Sequence, residues 1–187
     1  MTQRVLHLDF VLLNDRAGPE DREALFAAAA ELATLPQVEA VGVIEAEKGS
    51  DSDFDLVFHF LLPDFTALEP FGTDPRYVAF LQGAVAPRLK AFAGADVRLD
   101  DDLEAEGDFA ACLAIMAPEE TYDWEIHDAL QASSRDVDGA VAIGLAVGEK
   151  QLYRGAALAF GSAVPSLTRP DETKFRSTLI SGPARTL

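Results

Sequence analysis

The sequence predicts an α+β fold in which the first hundred residues follow the order β-α-β-β-α-β. Two observations support this order. Four segments have the apolar alternation or the β-branched and aromatic content of strands: residues 5–12, 37–45, 54–61 and 97–99. Two further segments have apolar residues at helical spacing, and each begins at a proline, Pro19 or Pro75. The order is that of a ferredoxin-like unit, an antiparallel sheet with two helices.

The first strand and the first helix are the most clearly patterned elements. One face of the strand is continuously apolar, and the other is mixed and carries His7 and Asp9. The helix begins at Pro19, where two following acids suit its N-terminal dipole, and it ends before Pro36. Its buried stripe is predicted to consist of Leu25, Ala28, Ala29, Leu32 and Leu35.

The stretch 68–87, LEPFGTDPRYVAFLQGAVAP, is predicted to hold two helical segments. The first ends at Phe71, and the second begins at Pro75 with Thr73 or Asp74 as its N-cap. The buried stripe of the second segment is predicted to consist of Val78, Leu81, Val85 and Leu89. Residues 92–96 are predicted to form a turn before the last strand of the unit.

The same stretch resembles the stress-responsive α/β-barrel (Dabb) family. Residues 74–80, DPRYVAF, match the sequence motif of the family except at the two positions where the family has histidine. Further matches are Leu6-His7-Leu8 and Leu35-Pro36-x-Val38. The resemblance covers nearly all of residues 4–100. It implies that two ferredoxin-like units pack their sheets into one barrel with the helices outside. It also places Tyr77 where the polyketide-cyclase members have their acid/base histidine, and His7 where a strand histidine is common.

The remaining residues weakly repeat the first half. Strands are predicted at 109–116, 139–147 and 152–160, with a helix from Pro118, and Pro170 and Phe175 correspond to Pro75 and Phe80. We therefore predict domains of 1–104 and 105–187, joined by an acidic linker at 100–108; an unrelated α+β extension is the alternative. The second copy is predicted to have a trimmed short helix and no full final strand. A true repeat would form an intrachain pseudo-dimer or only a weak homodimer.

Composition limits the partners of the protein. The net charge of -17, from 32 acidic and 15 basic residues, would repel phosphate backbones, so no nucleic acid is expected as a partner. No apolar run reaches the roughly 18 residues that cross a bilayer. No membrane association is therefore expected, and the protein is expected to be cytoplasmic. The single cysteine, Cys112, lies in an apolar segment and is expected to be a buried, inert thiol.

The candidate site residues are few, because the chain has only three histidines. His7, His59 and Tyr77 are the catalytic candidates. The first and third strands of a ferredoxin-like sheet are neighbours, so the two histidines could form a hydrogen-bonded pair, a proton relay or a metal site. In a catalytic scheme a strand histidine, held neutral by partial burial, would move a proton while Tyr77 orients a substrate carbonyl or phenol. The predicted ligand-binding residues are His7, His59, Tyr77, Phe80 and Trp124.

No cofactor and no resident metal are expected, because the chain has no phosphate-binding glycine loop, zinc-type cysteine set or nucleophile elbow. Three functions remain open. The preferred one is binding of a small apolar or aromatic ligand between the sheet and the helices. The second is an enzyme of the polyketide-cyclase or cofactor-free monooxygenase type, which the resemblance implies, and the third is an interaction protein with an acidic surface. An enzyme needs an acid or base against an apolar pocket, whereas a binding protein needs only the pocket.

Overall fold

The structure, a computed structural model, describes residues 3–100, 103, 107–147 and 151–187. The strands in this part of the chain are Val5–Leu13 (β1), Ala40–Glu45 (β2), Leu56–Leu62 (β3), Leu89–Leu99 (β4), Phe109–Met116 (β5), Ala140–Ala146 (β6), Gly155–Gly161 (β7) and Arg176–Thr186 (β8). The α-helices are Pro19–Ala30 (α1), Leu68–Thr73 (α2), Pro75–Ala79 (α3) and Asp123–Ser133 (α4). A π-helical turn, Phe80–Val85, continues α3, and none of these helices is long and apolar enough to cross a membrane.

The eight strands close into one antiparallel barrel made of two ferredoxin-like sheets. The first half has the order β4-β1-β3-β2, and the second half has the corresponding order β8-β5-β7-β6. The halves join where β2 pairs with β8 and where β4 pairs with β6. The predicted tandem fold is therefore confirmed, and the pseudo-dimer lies within one chain. The boundary predicted between residues 104 and 105 lies outside the described residues.

The second half is shortened between β7 and β8, where a trimmed helix was predicted, but it is not shortened at its final strand. No helix lies between β7 and β8, and the final strand is complete. The prediction of a missing strand was wrong because residues 176–186 alternate as a strand does: Thr178 and Ile180 are buried, whereas Leu179 is only partly buried. The helix α4 also begins later than predicted, at Asp123, where the Glu125 side chain accepts a hydrogen bond from the Tyr122 backbone.

Two predictions in the first half were also wrong in detail. Residues 92–96 are not a turn, because β4 is extended from Leu89 onward and pairs along the whole of β1. The buried stripe of the second helical segment is shifted: Tyr77, Phe80 and Val85 are buried, whereas Val78 and Leu81 are only partly buried. Tyr77 and Phe80 are three residues apart, as on one face of an α-helix, and the i→i+5 spacing of the π-helical turn puts Val85 on the same face as Phe80. The predicted N-cap is confirmed, because the Asp74 carboxylate accepts a hydrogen bond from the Arg76 backbone at 2.9 Å.

Each strand has one side chain face inside the barrel and one outside. The interior cluster includes Leu6, Leu8 and Phe10 of β1. The outer face of the first half packs under α1, α2 and α3 and includes Val5 and Val11, so His7 and Asp9 belong to this outer face by strand alternation. The outer face of the second half forms a separate cluster under α4.

Candidate functional site

Four polar side chains meet between the sheet of the first half and its second helical segment. His7 and Asp9 are two positions apart on β1 and therefore share a face. The antiparallel register pairs His7 with Asp96 on β4, and α3 brings Tyr77 over the sheet. We refer to His7, Asp9, Tyr77 and Asp96 as the His7 cluster.

The hydrogen bonds of the His7 cluster form one continuous chain. The His7 Nδ1 lies 2.5 Å from Asp96 Oδ1, and its Nε2 lies 2.7 Å from the Tyr77 hydroxyl. The Tyr77 hydroxyl donates to Asp9 Oδ2 at 2.9 Å. The Nε2 is also 3.2 Å from Asp9 Oδ1, so one imidazole ring lies between two carboxylates.

This arrangement keeps His7 positively charged. Burial alone would lower its pKa, but Asp9 and Asp96 together outweigh burial and raise the pKa to about 10. The expectation that partial burial keeps the strand histidine neutral is therefore wrong. Burial and then the charge of Asp9 raise the pKa of Tyr77, so its phenol keeps its proton and acts as a hydrogen-bond donor.

Aromatic rings close the cluster on its inner side. The His7 ring makes edge contacts with Phe71 and Tyr77, at centroid distances of 5.3 and 5.5 Å, and a tilted contact with Phe60 at 5.9 Å. Asp9 is only 1% exposed, whereas the side chains of His7 and Asp96 are 14% and 17% exposed. The cluster is therefore open to solvent only on the side of His7 and Asp96.

The second half contributes one polar residue to this open side. The Gln151 side chain donates from Nε2 to Asp96 Oδ2 at 3.3 Å. The Val147 backbone donates to the Asp96 carbonyl at 2.9 Å, and its side chain packs against the apolar core of the first half. Val147 and Gln151 thus form part of the wall beside the cluster.

At the place that corresponds to His7 and Asp9, the described part of the second half carries apolar side chains. The side chains on the outer face of β5 are Ala111, Leu113 and Ile115, all buried in the second outer core. The same fold therefore forms in this half around apolar side chains.

His59 lies on the other side of the sheet, inside the barrel. Its β1 partner is Leu8, whereas His7 pairs with Phe60, so the two histidines point to opposite faces. The His59 ring packs against Phe160, and we find no hydrogen bond of its side chain to any described residue. Burial lowers its pKa to about 4. The predicted proximity of the two histidines was wrong, because their register is offset by one residue.

The remaining predicted ligand-binding residues do not form one site. Phe80 lies beside Tyr77 and Phe58 in the first outer core. Trp124 lies on α4 in the second half and is 63% exposed, where it stacks on Tyr122. The five predicted residues are therefore divided among the His7 cluster, the barrel interior and the surface of the second half.

Sequence reasoning missed Asp9 and Asp96 as site residues. A signal for Asp9 was present, because a charged residue two positions from His7 lies on a strand face that must be covered by helices. Asp96 had no such signal, since residues 92–96 were interpreted as a turn. Within the described part of the chain, no group of three or more His, Cys, Asp or Glu side chains is arranged to hold a metal ion.

Comparisons with known proteins show which solved structures share the fold of this chain, but they show no closer relationship. No family model and no curated protein matches the sequence. An anthrone oxidase-like protein is 12% identical, with a TM-score of 0.61, and the match covers 100% of this chain and 94% of that chain. A protein from Lactobacillus acidophilus named as a putative monooxygenase is 9% identical, with a TM-score of 0.57 and 99% coverage of both chains.

A single-unit protein matches about half of the chain. The Dabb family protein of Mesorhizobium loti, which has a ferredoxin-like fold, is 17% identical, with a TM-score of 0.45, and the match covers 51% of this chain and 95% of that chain. The two proteins that match over the full length share the whole barrel with this chain. The chain therefore shares its fold with these two full-length matches, an α/β barrel with both ferredoxin-like units in one polypeptide, which confirms the predicted fold.

Proposed function

We propose that the protein is an enzyme that removes a proton from a small aromatic or otherwise apolar substrate, with Asp96 and His7 as its reacting groups. The observation that carries this proposal is the confinement of the charged cluster to one of two similar halves. The second half folds with apolar residues on the outer face of β5, so the fold itself does not require the buried Asp9. Burying a carboxylate is costly, and clustered groups with perturbed pKa values are typical of catalytic sites.

The geometry supports a division of roles. Asp96, on the open side, would take a proton from an acidic C–H or O–H group of the substrate, and the electron pair would remain on the substrate as an enolate or phenolate. Once Asp96 is protonated, the Nδ1–H of His7 is free to hydrogen-bond this oxyanion. Asp9 and Tyr77 hold the other side of the imidazolium and keep it charged. They act as positioning residues.

The substrate class follows from the surroundings of the cluster. The buried rings of Phe60 and Phe71 make the inner side of His7 apolar, and the imidazolium at the open side suits a substrate oxygen that becomes negative. The proposal is thus an enzyme of the polyketide-cyclase or cofactor-free monooxygenase type. The names of two structural neighbours, an anthrone oxidase-like protein and a putative monooxygenase, agree with oxygen-bearing aromatic substrates.

Binding without turnover is the second candidate. It is favoured by one observation: both ring nitrogens of His7 already have hydrogen-bond partners within the protein. A ligand would then lie at the open side, held by the charged pair.

Proton exchange on a simple probe tests the proposal. The α-protons of 1-tetralone, an aromatic ketone, should exchange with deuterium faster in the presence of the protein, as followed by NMR. Asp96→Asn and His7→Gln should each lower the catalysed rate by about 10²–10⁴-fold, the usual size for a general acid or base. His127→Gln, which changes an exposed histidine on α4, is the matched control and should have no effect.

A wider panel separates the two candidates. Aromatic polyketides and quinols should be screened for turnover, and native mass spectrometry should be used for bound molecules. Absence of exchange and turnover in the native protein, together with no gain in a Tyr77→His variant, would refute the enzyme. Binding that is lost in Asp96→Asn would then support the second candidate. Catalysis that persists in both site variants would show that the His7 cluster is not the active site.

A further inference from the structure

A groove on the second half lies between α4 and the segment 168–175. Its volume is about 500 Å³, within the range of small-molecule sites. In the first half, α2 and α3 cover the corresponding place, and the described part of the second half has no helix there. The residues that line it include Trp124, Asp128, Ser133, Lys174 and Phe175.

One side of the groove carries an exposed aromatic face. Trp124 is 63% exposed and stacks on Tyr122, which is 67% exposed, with an angle of 14° between the rings. Large apolar side chains exposed together on a surface commonly mark a binding site. Asp128 is four residues after Trp124 on α4, so its carboxylate lies on the same face of the helix.

The closed end of the groove holds an unpartnered hydroxyl. Ser133 is only 4% exposed, and its hydroxyl makes no hydrogen bond that we find among the described residues. The Ser133 carbonyl accepts from the Thr168 backbone at 3.0 Å, which ties the segment to the end of α4 and closes the groove there. Ser133 is one of the residues that line the groove, so its hydroxyl can reach a ligand there.

The balance of charge in the groove is negative. The Arg169 guanidinium is already paired with Asp53 at 2.9 Å and with Asp51 at 3.3 Å. Hydrogen bonds from Thr173 lower the pKa of Asp171, and the nearby Lys174 lowers it further, so these two charges offset each other.

The α4 side of the groove carries Glu125 and Asp128, and neither forms an ion pair with a described residue. The Glu125 carboxylate accepts only the capping hydrogen bond from Tyr122. Two uncompensated carboxylates beside an indole favour a cation, because the face of the ring also attracts positive charge.

We propose that this groove is a second ligand site, which binds a small organic cation with an apolar body. The ammonium group would lie against Trp124 and Asp128, the apolar body would cover Ala129 and Phe175, and a polar group could reach Ser133. The site is independent of the His7 cluster, so its occupancy does not depend on the proposed catalysis.

Tryptophan fluorescence tests the proposal directly, because Trp124 is the only tryptophan of the chain. The probes are 2-phenylethylammonium, its neutral analogue 2-phenylethanol and the anion 3-phenylpropanoate. The ammonium probe should give a saturable fluorescence change with a Kd on the order of 0.1–1 mM, a value typical of a fragment of its size. The alcohol and the anion should bind at least about fivefold more weakly, and added salt should weaken the ammonium probe.

Variants identify the groups responsible. Asp128→Asn should weaken the ammonium probe at least about fivefold, and Ser133→Ala should weaken a probe that carries a hydrogen-bonding head group. Asp136→Asn, an exposed acid after the end of α4, is the matched control and should leave the affinity unchanged. Amide shifts in NMR spectra should be confined to α4 and residues 168–175. Equal binding of the alcohol, tighter binding of the anion, an unchanged affinity in Asp128→Asn, or no response by either method would overturn the proposal.

Discussion

The charge of His7 predicts that the protein loses stability as the pH rises. The pKa of His7 is about 10 in the folded protein, against an ordinary value of 6.5. Between these values the folded protein holds a proton that the unfolded chain releases, so stability falls by about 1.4 kcal/mol per pH unit. The stabilisation amounts to on the order of 5 kcal/mol; it is complete below pH 6.5 and is lost as the pH passes through about 10.

Urea unfolding across this range measures the effect. The unfolding free energy of the native protein should fall between pH 6.5 and about 9.5, and His7→Gln should remove most of the slope. His127→Gln is the control and should keep the slope. If His7→Gln fails to fold, ¹⁵N NMR of the imidazole rings of the native protein decides the matter. A His7 ring that is neutral near pH 8, or a slope that the variant keeps, would refute the reasoning.

Four further predictions concern the barrel. Burial lowers the pKa of His59 to about 4, so the unfolding free energy should fall as the pH drops from 6.5 toward 4, where the unfolded chain binds a proton that folded His59 does not. In urea unfolding, His59→Leu should reduce this fall, and an unchanged fall would contradict the prediction. A Cβ at Gly42 would overlap the His59 ring and lie 3.0 Å from the Arg185 carbonyl oxygen, so Gly42→Ala should cost about 1–3 kcal/mol; the cost should be smaller in a His59→Ala background, and additive costs would contradict the contact with His59. Burial raises the pKa of Cys112 to about 12, so a thiol reagent should label it only as fast as the protein unfolds; rapid labelling of the native protein would count against this. Light scattering should find the mass of one chain, because the barrel closes within the chain; a tight dimer at all concentrations would contradict this.

The sequence predicted the elements whose patterns are local. The alternation in residues 5–12, the apolar run of residues 109–116, the proline starts of α1 and α3, and the Asp74 N-cap all depend on neighbouring residues, and the structure has them. The final strand β8 was missed because the repeat placed the counterpart of the last strand of the first half after Arg185. Its strand pattern is also local, so the error lay in giving the repeat more weight than the alternation.

The site was only partly predictable. His7 and Tyr77 were identified through the resemblance, and the alternation on β1 placed Asp9 beside His7. The distances and the charge of His7 could not be predicted, because a pKa depends on partners that are far apart in the chain. Asp96 is 89 positions from His7 and reaches it only through the pairing of β4 with β1.

By itself, the sequence determined the order of strands and helices in the first half, indicated a tandem of two ferredoxin-like units and limited the groups that could do chemistry. Only the tertiary structure decided which of those groups meet. Strand register separates His7 from His59 by placing them on opposite faces, and it joins His7 to Asp96. The closure of β2 on β8 and of β4 on β6 then brings Gln151 of the second half beside the site of the first. Register and closure depend on contacts between distant residues, and a one-residue shift in register would reverse every side chain of a strand.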